Sequence, residues 1–276
     1  MTFDVHTGVF RSELSGAVTS AGGRGQARPS RRAAWPMWAV PQLQLAADLA
    51  AEHADAPSAG RAPLPAELYR RWFNPVVGAA APAGRPLAGL YRAAHAGSRH
   101  RTERDGIVVV DRHDVVGRDG WWRTWNDGWM PTRSRSGGVR LLMSPRPDLL
   151  TEFVTTVTSA MRLADTPWLL ACPTAPRRLT RSAAATLHLP NSAALPLELL
   201  EELRPLLHDA TPPLTLPVIA GAGLAQSPGN GMSFGEHRCH LVALALRTHE
   251  ARRDPLEAVA DVFRMHSVDP AHPYCS

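Results

Sequence analysis

Apolar positions in the second half of the chain alternate between helical and strand spacing. After Asp148 they recur every three or four residues and predict an amphipathic helix that Asp148 caps. The apolar positions of this helix are Leu149, Leu150, Phe153, Val157 and Met161. Short apolar runs at 139–143 and 168–172 flank the helix and predict two strands. Together the three elements are typical of a β-α-β unit.

The remaining pattern of this half predicts further strands and helices. Strands are expected at 186–189 and 218–220, the latter before a glycine-rich loop at 221–231. Helices are expected at 196–207 with a kink at Pro205, at 234–247 and at 255–266. In the helix 234–247, the spacing directs Leu241, Leu244 and Ala245 inward.

The first half has mainly helical patterns, at 41–53, 65–73 and 86–95, with one strand at 107–110. Residues 121–129 hold four of the eight tryptophans, which fit either core and turn packing or an aromatic wall over a ligand. The whole pattern predicts an α+β fold, with a helical N-terminal half and a small mixed sheet with packed helices in the C-terminal half.

Glycine, serine, alanine and arginine dominate the start of the chain, which predicts a disordered arm over residues 1–37. We expect residues 38–276 to form a single domain, which subdivides, if at all, into 38–135 and 136–276.

The composition excludes several kinds of catalytic and phosphate-binding group. The 276 residues include 30 basic side chains, and the sequence contains no lysine, so all of them are arginines. This excludes a Schiff-base lysine, a P-loop lysine and a lysine base. Arginine stays protonated, and its guanidinium binds phosphate or carboxylate through two N–H groups. The net charge is +5, but the arginines are spread along the chain rather than interleaved with aromatics, so binding to nucleic acid is not favoured.

The sequence predicts a cytoplasmic protein without a membrane anchor. The start of the chain lacks a signal-peptide core, and no apolar stretch approaches the ~20 residues of a membrane span. Three scattered cysteines argue against a disulfide framework. His237 and His240 share a helix face, but no third ligand has a recognisable spacing, so we expect no metal and no cofactor.

Two clusters remain as candidates for chemistry. On one helix, Tyr91 and His95 stand four residues apart with Arg92 beside them, which suits an anion and a proton transfer. The same pattern also fits a surface helix end at which His95 interacts with the helix dipole.

The second cluster is a turn that runs into a helix start, where Ser233 and Glu236 match a capping box. His237 and Arg238 follow at once, although cations disfavour a helix N-terminus, which hints at a function for them.

Residues 223–239, GLAQSPGNGMSFGEHRC, resemble the C-terminal signature of the HopA-type effector family. Three other stretches are similar to segments of that family, namely 90–97 (LYRAAHAG), 139–147 (VRLLMSPRP) and 167–172. The resemblance spans roughly residues 65–250. Members of the family are type III effectors of plant pathogens. Others accompany a small kinase in lanthipeptide and thioamitide pathways, in which the implied role is elimination of phosphate from phospho-Ser or phospho-Thr of a precursor peptide.

The resemblance implies a set of site residues. Phosphate would be held by four arginines, Arg92, Arg140, Arg181 and Arg238. His95 and His237 would act as acid and base, and Tyr91 would orient the phosphate. The implied partners are a phosphorylated precursor peptide and a partner kinase.

This chain departs from the family pattern at several positions. Family lysines fall on Ala171 and near Leu216, a family aspartate falls on Ala183, and a family tyrosine falls on His188. Three hypotheses follow. The protein is a lyase that uses His95, His237 or His188 as its base, a catalytically inactive scaffold that binds the leader peptide or the kinase, or an effector-like interaction module.

Overall fold

The computed structural model describes residues 34–56, 60–78, 87–96, 101–104, 107–110, 113–126, 128–129, 138–164, 166–248 and 254–275, of which 101–104, 107–110 and 113 are described by backbone alone. The predicted arm lies almost wholly outside these residues, as does most of 127–137. The division into one domain or two stays a prediction. Within the described residues, no helix is long and apolar enough to cross a membrane.

The described residues contain eight α-helices. They are α1 (Ala39–Asp55), α2 (Leu64–Leu68), α3 (Leu87–Ala94), α4 (Leu150–Leu163), α5 (Pro176–Leu179), α6 (Leu197–Leu203), α7 (Phe234–Thr248) and α8 (Pro255–Met265). A π-helical turn, Tyr69–Phe73, continues α2, and 3₁₀ turns lie at Pro147–Leu149, Ser192–Ala194 and Arg204–Leu206. All seven helices that the sequence pattern predicts are present, and at the predicted kink near Pro205 α6 passes into a 3₁₀ turn.

In the described part of the chain, nine strands form two sheets. They are β1 (Arg101–Arg104), β2 (Ile107–Val110), β3 (His113–Val116), β4 (Trp121–Trp125), β5 (Val139–Met143), β6 (Leu169–Pro173), β7 (Ala185–Leu189), β8 (Leu216–Ile219) and β9 (Ala222–Gln226). β1 and β2 form a hairpin, and the other seven form one antiparallel sheet in the order β3-β4-β6-β7-β5-β9-β8. The predicted α+β class is confirmed, although the sheet is larger than expected because it includes β3 and β4 from the first half.

The predicted β-α-β unit is present in a split form. β5 and β6 flank α4 in sequence, and both pair antiparallel with β7. The two strands are therefore parallel to each other, with β7 inserted between them.

Three details of the sequence prediction are wrong. Asp148 pairs with Arg146, and the first residue before α4 is Leu149, which makes no side-chain cap. Leu244 is 38% exposed, whereas Leu241 and Ala245 are buried. Half of the predicted glycine-rich loop is strand β9.

The sequence pattern did not predict strand β9, because one glycine precedes the strand and another lies within it. Gly221 reverses the chain after β8 with φ of 78°, a conformation that favours glycine. A Cβ at Gly223 would stand 1.9 Å from the hydroxyl oxygen of Thr215. The glycine therefore permits close packing inside the sheet rather than a flexible loop.

Helices cover the two faces of the large sheet unequally. On the first face, α4 and α6 share one core with Leu141 of β5 and Leu187 of β7, and Tyr91 of α3 extends this core to Trp122 of β4. On the second face, the layer of α1, α2, α7 and α8 packs on Leu142 of β5 and Ala225 of β9. Strands β4, β6 and β7 contribute no residue to this second core, although Leu169 and Ala171 on the same face are each only 6% exposed.

Two helix glycines give a matched pair of variants. A Cβ at Gly235, in the first turn of α7, would lie 2.2 Å from the Phe73 ring, whereas a Cβ at Gly89 in α3 meets nothing within 4 Å. We expect Gly235→Ala to lower the free energy of unfolding by about 1–3 kcal/mol through overpacking. Gly89→Ala should raise it by roughly 0.5–1 kcal/mol. Urea unfolding of both variants checks this, and a stable Gly235→Ala protein would contradict the close packing of α7 on the π-helical turn.

Candidate functional site

Two rows of side chains cross the part of the second sheet face that lies outside the second core. Register places Trp125, Leu169, His188 and Arg140 side by side on β4, β6, β7 and β5. The neighbouring row contains Arg123, Ala171 and Thr186. Side chains alternate along a strand, and the intervening positions of β7 belong to the first core, so both rows face away from it. We call Arg123, Arg140 and His188 the sheet-face cluster.

Arg140 supplies a guanidinium that is only partly used. Its Nη2 donates to Ser227 Oγ at 2.8 Å, which fixes the side chain across the end of β9. Its Nε is buried and has no acceptor among the described residues. Burial lowers the pKa of Arg140, while the nearby Glu236 carboxylate acts in the opposite direction. An anion with two oxygens in reach would satisfy the remaining donor, because a guanidinium binds phosphate through a fork of N–H groups.

His188 is held neutral beside this arginine. Burial lowers its pKa to about 3, and the positive charges of Arg140 and Arg123 add to the effect. The edge of Trp129 lies on the imidazole, with the ring centroids 6.0 Å apart. At neutral pH the imidazole is therefore unprotonated, so one ring nitrogen keeps a lone pair that can accept a proton. A bound anion would offset the two cations and raise the pKa of His188.

Arg123 reaches the cluster from β4 while it is paired within its own hairpin. Both terminal nitrogens of Arg123 donate to the Asp119 carboxylate in the β3–β4 turn, Nη1 at 3.2 Å. This pairing holds the pKa of Asp119 below its usual range. The Arg123 side chain is 31% exposed, so a dianionic ligand can compete with Asp119 for it.

The helical layer adds a phenol and a carboxylate at the margin of the cluster. The π-helical turn places Tyr69 there, and the amide of Asn74 donates to the Tyr69 carbonyl at 2.8 Å to close the turn. Burial raises the pKa of Tyr69, and the Glu236 charge raises it further, whereas Asn74 and Arg178 lower it. The Glu236 carboxylate also accepts a hydrogen bond from the Ser233 amide, which confirms the predicted capping box.

The predicted Tyr91 and His95 lie on the opposite, first face of the sheet. Tyr91 is fully buried, stacks on Trp122 at 5.0 Å, and donates its hydroxyl proton to the Pro173 carbonyl at 2.7 Å. His95 is 4% exposed, with its Nε2 2.7 Å from the Thr124 hydroxyl. Arg92 is exposed and pairs with Asp114 at 2.6 Å. The sheet thus separates these three residues from Arg140 and His188.

The predicted Arg238 and His237 lie at the C-terminal segment. Arg238 is fully buried between the rings of Phe234 and Phe263. It donates to the carbonyls of Pro273, at 2.7 Å, and of Cys275. Burial lowers the pKa of Arg238 to about 10.

Nη1 of Arg238 lies 2.7 Å from Nδ1 of His237. Burial, and after it the charge of Arg238, lowers the pKa of His237 to about 4. Arg238, the unusual cation at this helix start, therefore ties residues 273–275 to α7.

Arg181, the remaining predicted phosphate ligand, donates to the Asn74 carbonyl at 3.0 Å. Of the predicted residues, only Arg140 lies in the sheet-face cluster. The sequence predicted His188 as an alternative base but not as one of the site residues, and it did not predict Arg123. The pattern of residues 121–125 could have indicated Arg123, because alternation along a strand places Trp121, Arg123 and Trp125 on one face. Among the described residues, no group of three or more metal-ligating side chains comes together.

The depressed pKa of His188 makes stability depend on pH. As the pH falls below 6.5, the unfolded chain binds a proton at His188, which the folded protein does not bind until about pH 3. The contribution to the free energy of unfolding is therefore complete above pH 6.5 and is lost between pH 6.5 and 3. We expect His188→Gln to flatten this part of the stability curve in urea unfolding at a series of pH values. An unchanged slope would place His188 in a solvated environment.

The chain has measurable relatives in sequence and in structure. A sequence model of the HopA1 effector protein family matches residues 126–275, which include Arg140 and His188. No curated protein sequence matches the chain. The effector protein from Pseudomonas syringae pv. tomato strain DC3000 is similar in structure, with a TM-score of 0.56 and 15% identity over 85% of this chain and 98% of that one. The effector protein from Pseudomonas syringae pv. syringae strain 61 gives a TM-score of 0.58 and 14% identity over 86% and 96%.

Proposed function

Because the chain belongs to the HopA1 effector protein family, we propose that it eliminates phosphate from phospho-Ser or phospho-Thr of a peptide and that the reaction takes place at the sheet-face cluster. The observation that carries the proposal is the adjacency of Arg140 and His188. A guanidinium with an unused buried donor lies next to an imidazole that is neutral at physiological pH. Such a pair offers one group for the phosphate and another for the proton.

The reaction breaks the Cα–H bond and the Cβ–O bond, forms an N–H bond on His188 and the second bond between Cα and Cβ, and ends when His188 returns its proton to the released phosphate. His188 accepts the proton on Cα of the phosphorylated residue, and the electron pair of that C–H bond becomes the second bond between Cα and Cβ. The bond between Cβ and the phosphate oxygen breaks at the same time, and phosphate leaves with the electron pair. Arg140 and Arg123 bind the departing anion, in which negative charge increases. The products are a dehydrated residue and inorganic phosphate.

The substrate itself would prepare the base. A histidine with a pKa near 3 is a weak base, and the cause includes two positive charges. A phosphate dianion between these charges cancels their effect and raises the pKa of His188 towards neutrality, where a general base is most effective. The proton affinity of His188 thus increases only when a phosphorylated residue is bound.

The position of Ala171 supports a second candidate function. Ala171 is 6% exposed and lies between Arg123 and Thr186 on the neighbouring strands. By the resemblance described above, a lysine stands here in the family. A site without this amine fits a protein that binds the phosphorylated peptide and presents it to a partner, without chemistry of its own.

We place a kinase before this protein in the reaction order, because phosphorylated Ser and Thr require one. A kinase and a precursor peptide are therefore the proposed partners, in the cytoplasm where both are made.

Phosphopeptide turnover tests the proposal. The purified full chain is incubated with pools of phospho-Ser and phospho-Thr peptides and with Ser/Thr-rich precursor peptides that a Ser/Thr kinase has phosphorylated beforehand. Released phosphate is measured, and mass spectrometry detects loss of phosphoric acid and addition of a thiol to the new double bond. Turnover that His188→Gln removes supports the lyase.

Binding of phosphopeptide without phosphate release by the natural chain rejects the lyase and favours the binding protein. In that case we expect Ala171→Lys to be the variant that gains turnover.

A further inference from the structure

Four arginines gather where the β3–β4 hairpin meets α5. Arg118 lies in the hairpin turn, Arg123 follows it on β4, and Arg177 and Arg178 belong to α5. The Thr174 amide and hydroxyl both donate to the Gly120 carbonyl at 2.9 Å, which fixes α5 against the turn. Arg178 Nη1 adds a bond to the Asp119 carbonyl at 3.2 Å. We call these four arginines the hairpin patch.

The hairpin patch is exposed and poorly neutralised. Arg118, Arg177 and Arg178 are exposed, and no carboxylate pairs with any of them within the described ranges. Asp119 is the carboxylate that the turn supplies, and Arg123 already binds it. The patch thus concentrates guanidinium groups, which bind carboxylates through two N–H groups at once.

The hairpin patch is continuous with the sheet-face cluster. Arg123 belongs to both. On regular sheet spacings, the Cα atoms of His188 and Arg123 are about 12 Å apart, and the hairpin turn is about 19 Å from His188. An extended peptide advances about 3.3 Å per residue, so it covers this distance in about four to six residues. Trp121 and Trp125 flank Arg123 on the same face and offer apolar surface along the way.

We infer that the hairpin patch binds an acidic segment of the substrate peptide, about four to six residues from the residue that is modified. The inference rests on the proposed function for the position of the phosphorylated residue. The partner is an acidic peptide because the surface continues from a site for a phosphorylated side chain to Arg118, Arg177 and Arg178, which no carboxylate of the described residues pairs with. Contacts away from the reacting bond would then select which Ser or Thr is bound.

Fluorescence anisotropy with labelled peptides tests the inference. One peptide has a phosphoserine with Asp and Glu four to six residues away, a second has Asn and Gln at those positions, and a third is the acidic peptide without phosphate. We expect about tenfold tighter binding of the acidic phosphopeptide than of its amide counterpart. Arg177→Glu with Arg178→Glu should remove that difference. The matched control is Arg162→Glu, an exposed position on α4 at the opposite side of the sheet.

The outcomes separate this inference from the proposed function. Equal affinity for the acidic and the amide peptides would overturn it, as would an equal loss in the control. Displacement by a single-stranded oligonucleotide of the same charge as efficiently as by acidic peptide would overturn the assignment to a peptide. If patch-dependent binding of the unphosphorylated acidic peptide persists but no phosphate is released, the lyase fails and the hairpin patch stands.

Discussion

Replacing Arg140 by methionine is expected to lower kcat/KM for phosphate release by about 100-fold or more, the usual effect of removing one donor from a charge-stabilising site. Arg140 contributes the guanidinium beside His188, and its Nε is the buried donor left for a ligand. Methionine keeps most of the side-chain length without the charge, so the strand pairing around it persists. Steady-state phosphate release with the natural chain and the variant measures the loss.

Two further variants make this result specific. Arg162→Met removes an exposed arginine from α4 and should leave turnover unchanged. Arg140→Lys keeps the positive charge but cannot bind phosphate through two N–H groups in one plane. We therefore expect this variant to bind inorganic phosphate better than Arg140→Met does, with a smaller recovery of turnover. If Arg140→Met retained full activity while remaining folded, the sheet-face cluster would not be the site of elimination.

Replacing Arg238 by methionine is expected to lower the free energy of unfolding by about 3–5 kcal/mol, as is typical when one partner is removed from a buried charged network. Arg238 is completely buried and donates to the carbonyls of Pro273 and Cys275. Without it, these carbonyls lose their donors and the last residues lose their attachment to α7. Urea denaturation and the protease sensitivity of the C-terminal segment both report the change.

Arg264 on α8 supplies the control for this prediction. It is 45% exposed and pairs with Asp261, an arrangement that contributes less than about 1 kcal/mol. Arg264→Met should therefore leave stability nearly unchanged. A loss below about 1 kcal/mol in Arg238→Met would show that this arginine is not structural, and the phosphate role predicted from sequence would regain support.

The elements that the sequence predicted best are those with a single buried face. Helix α4 repeats its apolar residues every three or four positions, and its core positions Phe153, Val157 and Met161 are buried as expected. Strand β4 was missed because tryptophans occupy both of its faces, which hides the alternation between buried and half-buried positions. Strand β9 was missed because Gly221 and Gly223 suggest a loop in any local interpretation.

The candidate site was harder to predict because it depends on register between distant segments. Arg140 and His188 become neighbours only through the pairing of β5 with β7. Conversely, Tyr91 and His95 share one helix face as the spacing predicts, but that face is turned into the core. Local spacing establishes which side chains lie together on one element, and it does not establish whether that face meets solvent or another element.

The insertion of β7 between β5 and β6 has a consequence for how the protein acquires activity. β5, α4 and β6 follow one another in sequence, yet the space between the two strands is filled by a segment that comes later in the chain. Because such non-local pairing forms slowly, we expect it to come late in folding. Arg140 then meets His188 only once the central strand is in place. A nascent or partly unfolded chain would therefore lack the paired cation and imidazole, so the proposed reaction requires a completed sheet.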